Sequence, residues 1–144
     1  MLPLFDRLRE AVLGHTTRVR NRHFQDAAMA ACALIAAADG TVSFSERVRL
    51  DQLLESLEAL QAFDVHESVN LVNDYVAELK DHPESGTRRA LSALHRMAED
   101  PETAALLFRV ACALTRADGE FSNSEKERLQ SIADELNVPM PENI

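Results

Sequence analysis

The sequence predicts an all-α fold of about seven helices, arranged as a pseudo-twofold bundle built from a duplicated helix–turn–helix unit. Two observations carry this. First, Ala and Leu are frequent while only 4 Gly and 5 Pro punctuate the 144 residues, a composition that favours helices over strands. Second, "ADGTVSFSE" at residues 38–46 returns as "ADGEFSNSE" at residues 117–125.

The length suits one domain, here expected over residues 1–144. A hydrophobic fraction of 46% can fill a core without any Trp. The net charge of −9 disfavours nucleic acid as a partner, because phosphate binding needs a cationic surface. It suits a cation or a basic protein instead. Cys32 and Cys112 both sit in Ala-rich stretches and form no C-x-x-C, so they read as small buried thiols. The start, MLPLFDRLRE, mixes charged and apolar residues unlike a secretory signal. The longest apolar run, AAMAACALIAAA at residues 27–38, is too short for a span of about 20 residues. A cytoplasmic protein is the expectation.

Phe5, Leu8 and Val12 place a first amphipathic helix near residues 3–13, closed by Gly14. The second runs from about Arg22 to Ala38, and its alanines suit a central position against close neighbours. After a turn at Asp39 to Val42, a third follows Ser43 with Leu50, Leu53, Leu54 and Leu57 on one face. Asp64 with Glu67 starts the fourth as an analogue of a capping box. Val65, Val69, Val72, Val76 and Leu79 step by 4, 3, 4 and 3 along it. "DHPESG" is expected to break the chain at Pro83 and Gly86. A fifth helix then holds Leu91, Leu94 and Met97 or Ala98. Asp100-Pro101 restarts the chain as an N-cap with Pro at the first helical position. The sixth helix carries Leu106, Leu107, Val110 and Leu114. A second turn, Asp118 to Phe121, leads to the seventh, with Leu129, Ile132, Ala133 and Leu136. Asn137 and Pro139 end it.

Residue n placed beside n + 79 pairs Asp39 with Asp118, Gly40 with Gly119, Ser43 with Ser122, Ser45 with Ser124 and Glu46 with Glu125. Arg49 with Arg128, Leu50 with Leu129 and Leu57 with Leu136 continue the match. The repeat units are residues 22–57 and 101–136. The pattern D-G-x-apolar-S-x-x-E fits positions 5 to 12 of a calcium-binding EF-hand loop. Positions 1 and 3 fall on Ile35 and Ala37 in one copy, and on Leu114 and Arg116 in the other. These offer no useful oxygen, so each bend brings about four of the six to eight that such a loop assembles.

Two readings of the bends stand side by side. In the first, Ser43-x-x-Glu46 and Ser122-x-x-Glu125 are capping boxes. Asp39 and Asp118 close Asx-turns, and Gly40 and Gly119 supply positive φ. Each cap contributes about 0.5–2 kcal/mol. In the second, the two bends meet and Asp39, Glu46, Asp118 and Glu125 pool their carboxylates around a weakly held divalent cation. All-oxygen ligands select calcium or magnesium over zinc. Its dissociation constant would be on the order of 10⁻⁴ M or weaker.

The doubled ADG turn, the leading helix "LFDRLREAV" and "FRVACALTRADGEFSNSEKERLQSIADEL" together resemble the tellurite-resistance protein TerB family, from about residue 3 to 138. The resemblance implies an all-helical bundle with an internal twofold and an acidic surface, whose acids would be Asp39, Glu46, Asp118 and Glu125. It implies stress resistance through other tellurite-resistance or stress-response proteins in a membrane-associated complex. The second bend departs from the family's more acidic pattern, reading Ser122-Asn123-Ser124. The alternative is a structural scaffold or adaptor whose bends only cap helices, with no metal.

No enzyme is expected. His15, His23, His66, His82 and His95 form no H-E-x-x-H, and none has Glu three positions before it, as di-iron bundles require. Neither G-x-S-x-G nor a phosphate-binding glycine loop occurs.

The first 24 residues hold five Arg against Asp6 and Glu10, a local charge of +3 that leaves −12 for the rest. Residues 1–20 therefore read as an amphipathic and basic segment. With "RVRNR" at residues 18–22 it could rest on an anionic inner-membrane surface, or pack on the bundle. Removing residues 1–20 separates the two. An anchor loses membrane co-sedimentation and keeps its melting transition, whereas a packing segment takes the transition with it.

Overall fold

The computed structural model describes residues 22–38, 48, 52, 64–115 and 122–140. Five helices lie among them: α1 (Arg22–Ala36), α2 (Val65–Asp81), α3 (Pro83–His95), α4 (Pro101–Thr115) and α5 (Asn123–Leu136). No strand occurs among the described residues. The helix predicted near residues 3–13 lies outside them. So does the one after Ser43, apart from Val48 and Gln52, which are helical. Both acidic bends fall largely outside as well.

α1 is the axle of the bundle. Every residue from Ala27 to Ala36 is at most 1% exposed, as is Phe24. A helix buried all round must be apolar all round, which its ten-residue run from Ala27 satisfies. It packs against α2, α3, α4 and α5. Small side chains let those helices come near its backbone, since the distance between helix axes is set by the residues at the contact. Leu34 and Ile35 supply bulk where alanine would leave voids.

The outer helices each bury one stripe. Val72, Tyr75 and Leu79 of α2 are buried, with Val69 and Val76 packed at the edge. Ala90, Ala93 and Leu94 of α3 face the same core, as do Leu129, Ile132 and Leu136 of α5. α4 carries more bulk, with Leu106, Leu107, Val110 and Leu114 buried.

The helix ends follow from local chemistry. Asp64 caps α2, its carboxylate accepting from the His66 N–H at 2.8 Å. Asp100 caps α4 by accepting from the Glu102 N–H at 3.2 Å and the Thr103 hydroxyl at 2.8 Å. Pro101 follows at the position where a missing N–H costs nothing. At the end of α5, Asn137 adopts φ 58°, a left-handed conformation. The Val138 N–H then reaches the Ala133 carbonyl at 3.0 Å, and the Asn137 N–H reaches that of Asp134 at 3.2 Å. That pair of bonds is a Schellman closure.

The stretch "DHPESG" departs from expectation. The break is a single residue, His82, and α3 already begins at Pro83. Gly86 lies inside α3 and is buried, so it is not a turn glycine. A Cβ built on it would stand 2.9 Å from the Glu78 carbonyl carbon and oxygen and from the Leu79 nitrogen. The glycine is there because the backbones of α2 and α3 touch. The fifth predicted helix thus starts earlier than its Leu periodicity suggested and ends at His95, before Met97 and Ala98.

Gly86→Ala tests this packing. Alanine is the better helix former by about 1 kcal/mol, but overpacking against backbone costs about 1–3 kcal/mol. The expected outcome is a lower melting temperature. An unchanged or higher one would show that the two helices separate freely.

Candidate functional site

Of the four acids expected to meet, Asp39, Glu46 and Asp118 lie outside the described residues, and Glu125 lies within them. Glu125 occupies the first turn of α5 and is 8% exposed. Ser122 is the N-cap, and its hydroxyl oxygen accepts from the Glu125 N–H at 3.1 Å. The same hydroxyl donates to Glu125 Oε1 at 3.2 Å. The carboxylate is thereby turned back towards the helix N-terminus, where partial positive charge favours it. The Ser122 bond to the Glu125 N–H is the cap expected of S-x-x-E at a helix start. Among the described residues, no group of three or more His, Cys, Asp or Glu could hold a metal ion. α1 and α4, the helices that precede Asp39 and Asp118 in sequence, pack against each other.

A second polar locus lies between α1 and α2. An open groove of about 510 Å³ is lined by Arg22, Gln25, Asp26, Glu67, Asp74 and Arg96, among others. Gln25, 6% exposed, donates from Nε2 to the buried Ser68 hydroxyl at 3.0 Å. Asp26 accepts from the Tyr75 hydroxyl at 2.7 Å and stands 3.7 Å from the Arg96 guanidinium. Arg89 lies over the Tyr75 ring, 4.5 Å from its centroid, and pairs with Glu78. One tyrosine thus ties α1, α2 and α3 together with a donor on one side and a π-face on the other.

Electrostatics follow the geometry. Burial, and then the hydrogen bond to Asp26, push the Tyr75 phenol well above its ordinary range. The hydrogen bond to Glu78 holds the Arg89 guanidinium more firmly protonated than usual. Burial alone raises the Cys32 thiol to about 12, which keeps it inert at neutral pH.

Sequence reasoning missed this locus, although two signals were present. Gln25 and Asp26 are polar residues leading into an apolar helix, and a helix buried all round must satisfy such residues internally. Tyr75 falls on the valine stripe of α2, where a phenol needs a partner.

Among the described residues, no helix is long and apolar enough to cross a membrane. The family model described as Tellurite resistance protein TerB matches residues 25–143. A tellurium resistance protein TerB from Alcaligenes sp is 30% identical over 102 residues, covering 71% of this chain and 84% of that protein. No solved structure matches the chain. The family match begins after the segment "LFDRLREAV", which lies outside the described residues, and takes in all of α2 to α5.

The chain has 1 Tyr and no Trp, so alkaline titration of near-ultraviolet absorbance reports on Tyr75 alone. A free tyrosine ionises near pH 10. With its folded value raised, Tyr75 contributes stability that is intact below about pH 10 and falls as pH rises further. Cys32 adds a loss that begins near the ordinary thiol value of about 8.5 and continues through about 12. Tyrosinate absorbance is therefore expected only as the chain unfolds. A step near pH 10 in folded protein would contradict the burial. Tyr75→Phe should cost about 1–2 kcal/mol through the lost hydrogen bond and flatten the alkaline loss.

Proposed function

The chain belongs to the TerB tellurite-resistance family, and we propose that it acts there as a non-enzymatic interaction module with an acidic, cation-responsive face. The family match over residues 25–143 carries this reading. The net charge of −9 supports it, since a surface of that sign attracts cations and basic partners. The partners would be other tellurite-resistance or stress-response proteins. Residues 1–22 would bring the module to the inner face of the cytoplasmic membrane. Asp39, Glu46, Asp118 and Glu125 would hold calcium or magnesium weakly. Direct contact with tellurite is disfavoured, because the oxyanion and the face share one sign.

A second reading draws on the contact between Ser122 and Glu125. A carboxylate turned onto its own N-cap is what a bend needs if it only starts a helix. In that case the module is a scaffold and no metal is involved.

Three measurements test these readings. A bacterium that has lost its own TerB relative should regain tellurite tolerance when given this chain; no recovery would refute the resistance role. Millimolar calcium or magnesium should raise the melting temperature of the wild type, and Asp39→Asn with Asp118→Asn should abolish that rise. If wild type shows no rise, the cation is dismissed and the scaffold stands. Pull-down with and without divalent cations then shows whether partner capture depends on them.

A further inference from the structure

We propose that the groove between α1 and α2 receives a cationic segment of a partner protein, with Glu67 and Asp74 as its two anchors. This rests on the reading of the chain as an interaction module and assigns it a surface distinct from the acidic bends.

Glu67, Asn70, Leu71 and Asp74 follow the i, i+3, i+4, i+7 pattern of one helix face and line the groove together. Two turns of helix set the carboxylates about 10 Å apart along the axis. Neither pairs with any group of the described residues. The other lining charges are differently placed. Asp26 is engaged by Tyr75 and by Arg96, which among the described lining residues leaves Arg22, beside His23, facing Glu67 and Asp74.

The buried side of the groove supplies an independent observation. Gln25 is 6% exposed, and among the described residues only its Nε2 is engaged, with Ser68. The amide oxygen takes no hydrogen bond from the described residues. Gln25 lines the groove, and a peptide N–H or a lysine ammonium entering there can donate to its amide oxygen.

The spacing also defines the ligand. A polyproline-type chain rises about 3.1 Å per residue with three residues per turn. Lysines at every third position then share one side, about 9 Å apart. That matches the separation of the two anchors. A continuous acidic patch would accept cations in any arrangement, whereas this groove favours a repeat of three.

The test uses the full chain and a labelled twelve-residue peptide carrying Lys at every third position among Ala and Pro. Saturable binding is expected, with at least about a tenfold weakening in Glu67→Gln with Asp74→Asn, or about 1.4 kcal/mol. A peptide with Glu in place of Lys should not bind. Glu84→Gln with Glu127→Gln, exposed acids outside the groove, should change binding less than twofold. Amide signals of Asn70 and Leu71 should shift as the Lys peptide is added to wild type, a readout that requires no variant to fold. Equal weakening by both variant pairs would reduce the effect to general charge attraction and overturn the groove. Absence of saturable binding would do the same. If tellurite tolerance and partner capture survive in the groove variant, the inference fails while the module reading stands. If wild type captures no partner, the module reading itself fails.

Discussion

The packing of α1 is the constraint on which the rest of the structure depends. An ordinary helix can turn a polar face to water. α1 cannot, because all sides of its middle are covered. That demands a run of residues that are apolar, helix-forming and small, which alanine alone satisfies in quantity. Larger side chains on the surrounding helices then supply the bulk, so the core is filled from outside inwards. The arrangement makes α1 intolerant of added volume, and every neighbour inherits its position from it.

The same constraint decides where chemistry can reside. No charged group can sit along the middle of α1 without losing its water at great cost. Polar residues therefore gather at its start, where Gln25 and Asp26 meet Ser68, Tyr75 and Arg96. They gather again at the start of α5, where Ser122 and Glu125 meet. The groove beside α2 and the capped start of α5 are two such places, both outside the Ala-rich axis.

Much of the architecture was legible in the chain. The stripe on α2, the caps at Asp64, Asp100 and Ser122, and the stop at Asn137 all rest on short-range rules, and short-range rules can be read from a single sequence. The alanine run signalled a central helix because nothing else accommodates twelve such residues. Gly86 was misread, since a glycine beside a proline looks like a turn and only the tertiary crossing shows what it avoids. The Tyr75 cluster was hidden for a related reason: its members are dozens of residues apart, and no local pattern joins Asp26 to Tyr75. Three of the four acids chosen from the repeat lie outside the described residues, and Glu125 is engaged with its own cap.

One consequence follows from the single residue that separates α2 from α3. His82 is followed directly by proline, whose ring restricts the backbone before it. Exchange of a helix between two copies requires a connection that can straighten into a hinge. One restricted residue offers little slack for that, and the contact at Gly86 holds the paired helices in register. α2 and α3 therefore remain a hairpin within their own chain. Among the described residues, the walls that α2 and α3 give each other are the same in one copy or two.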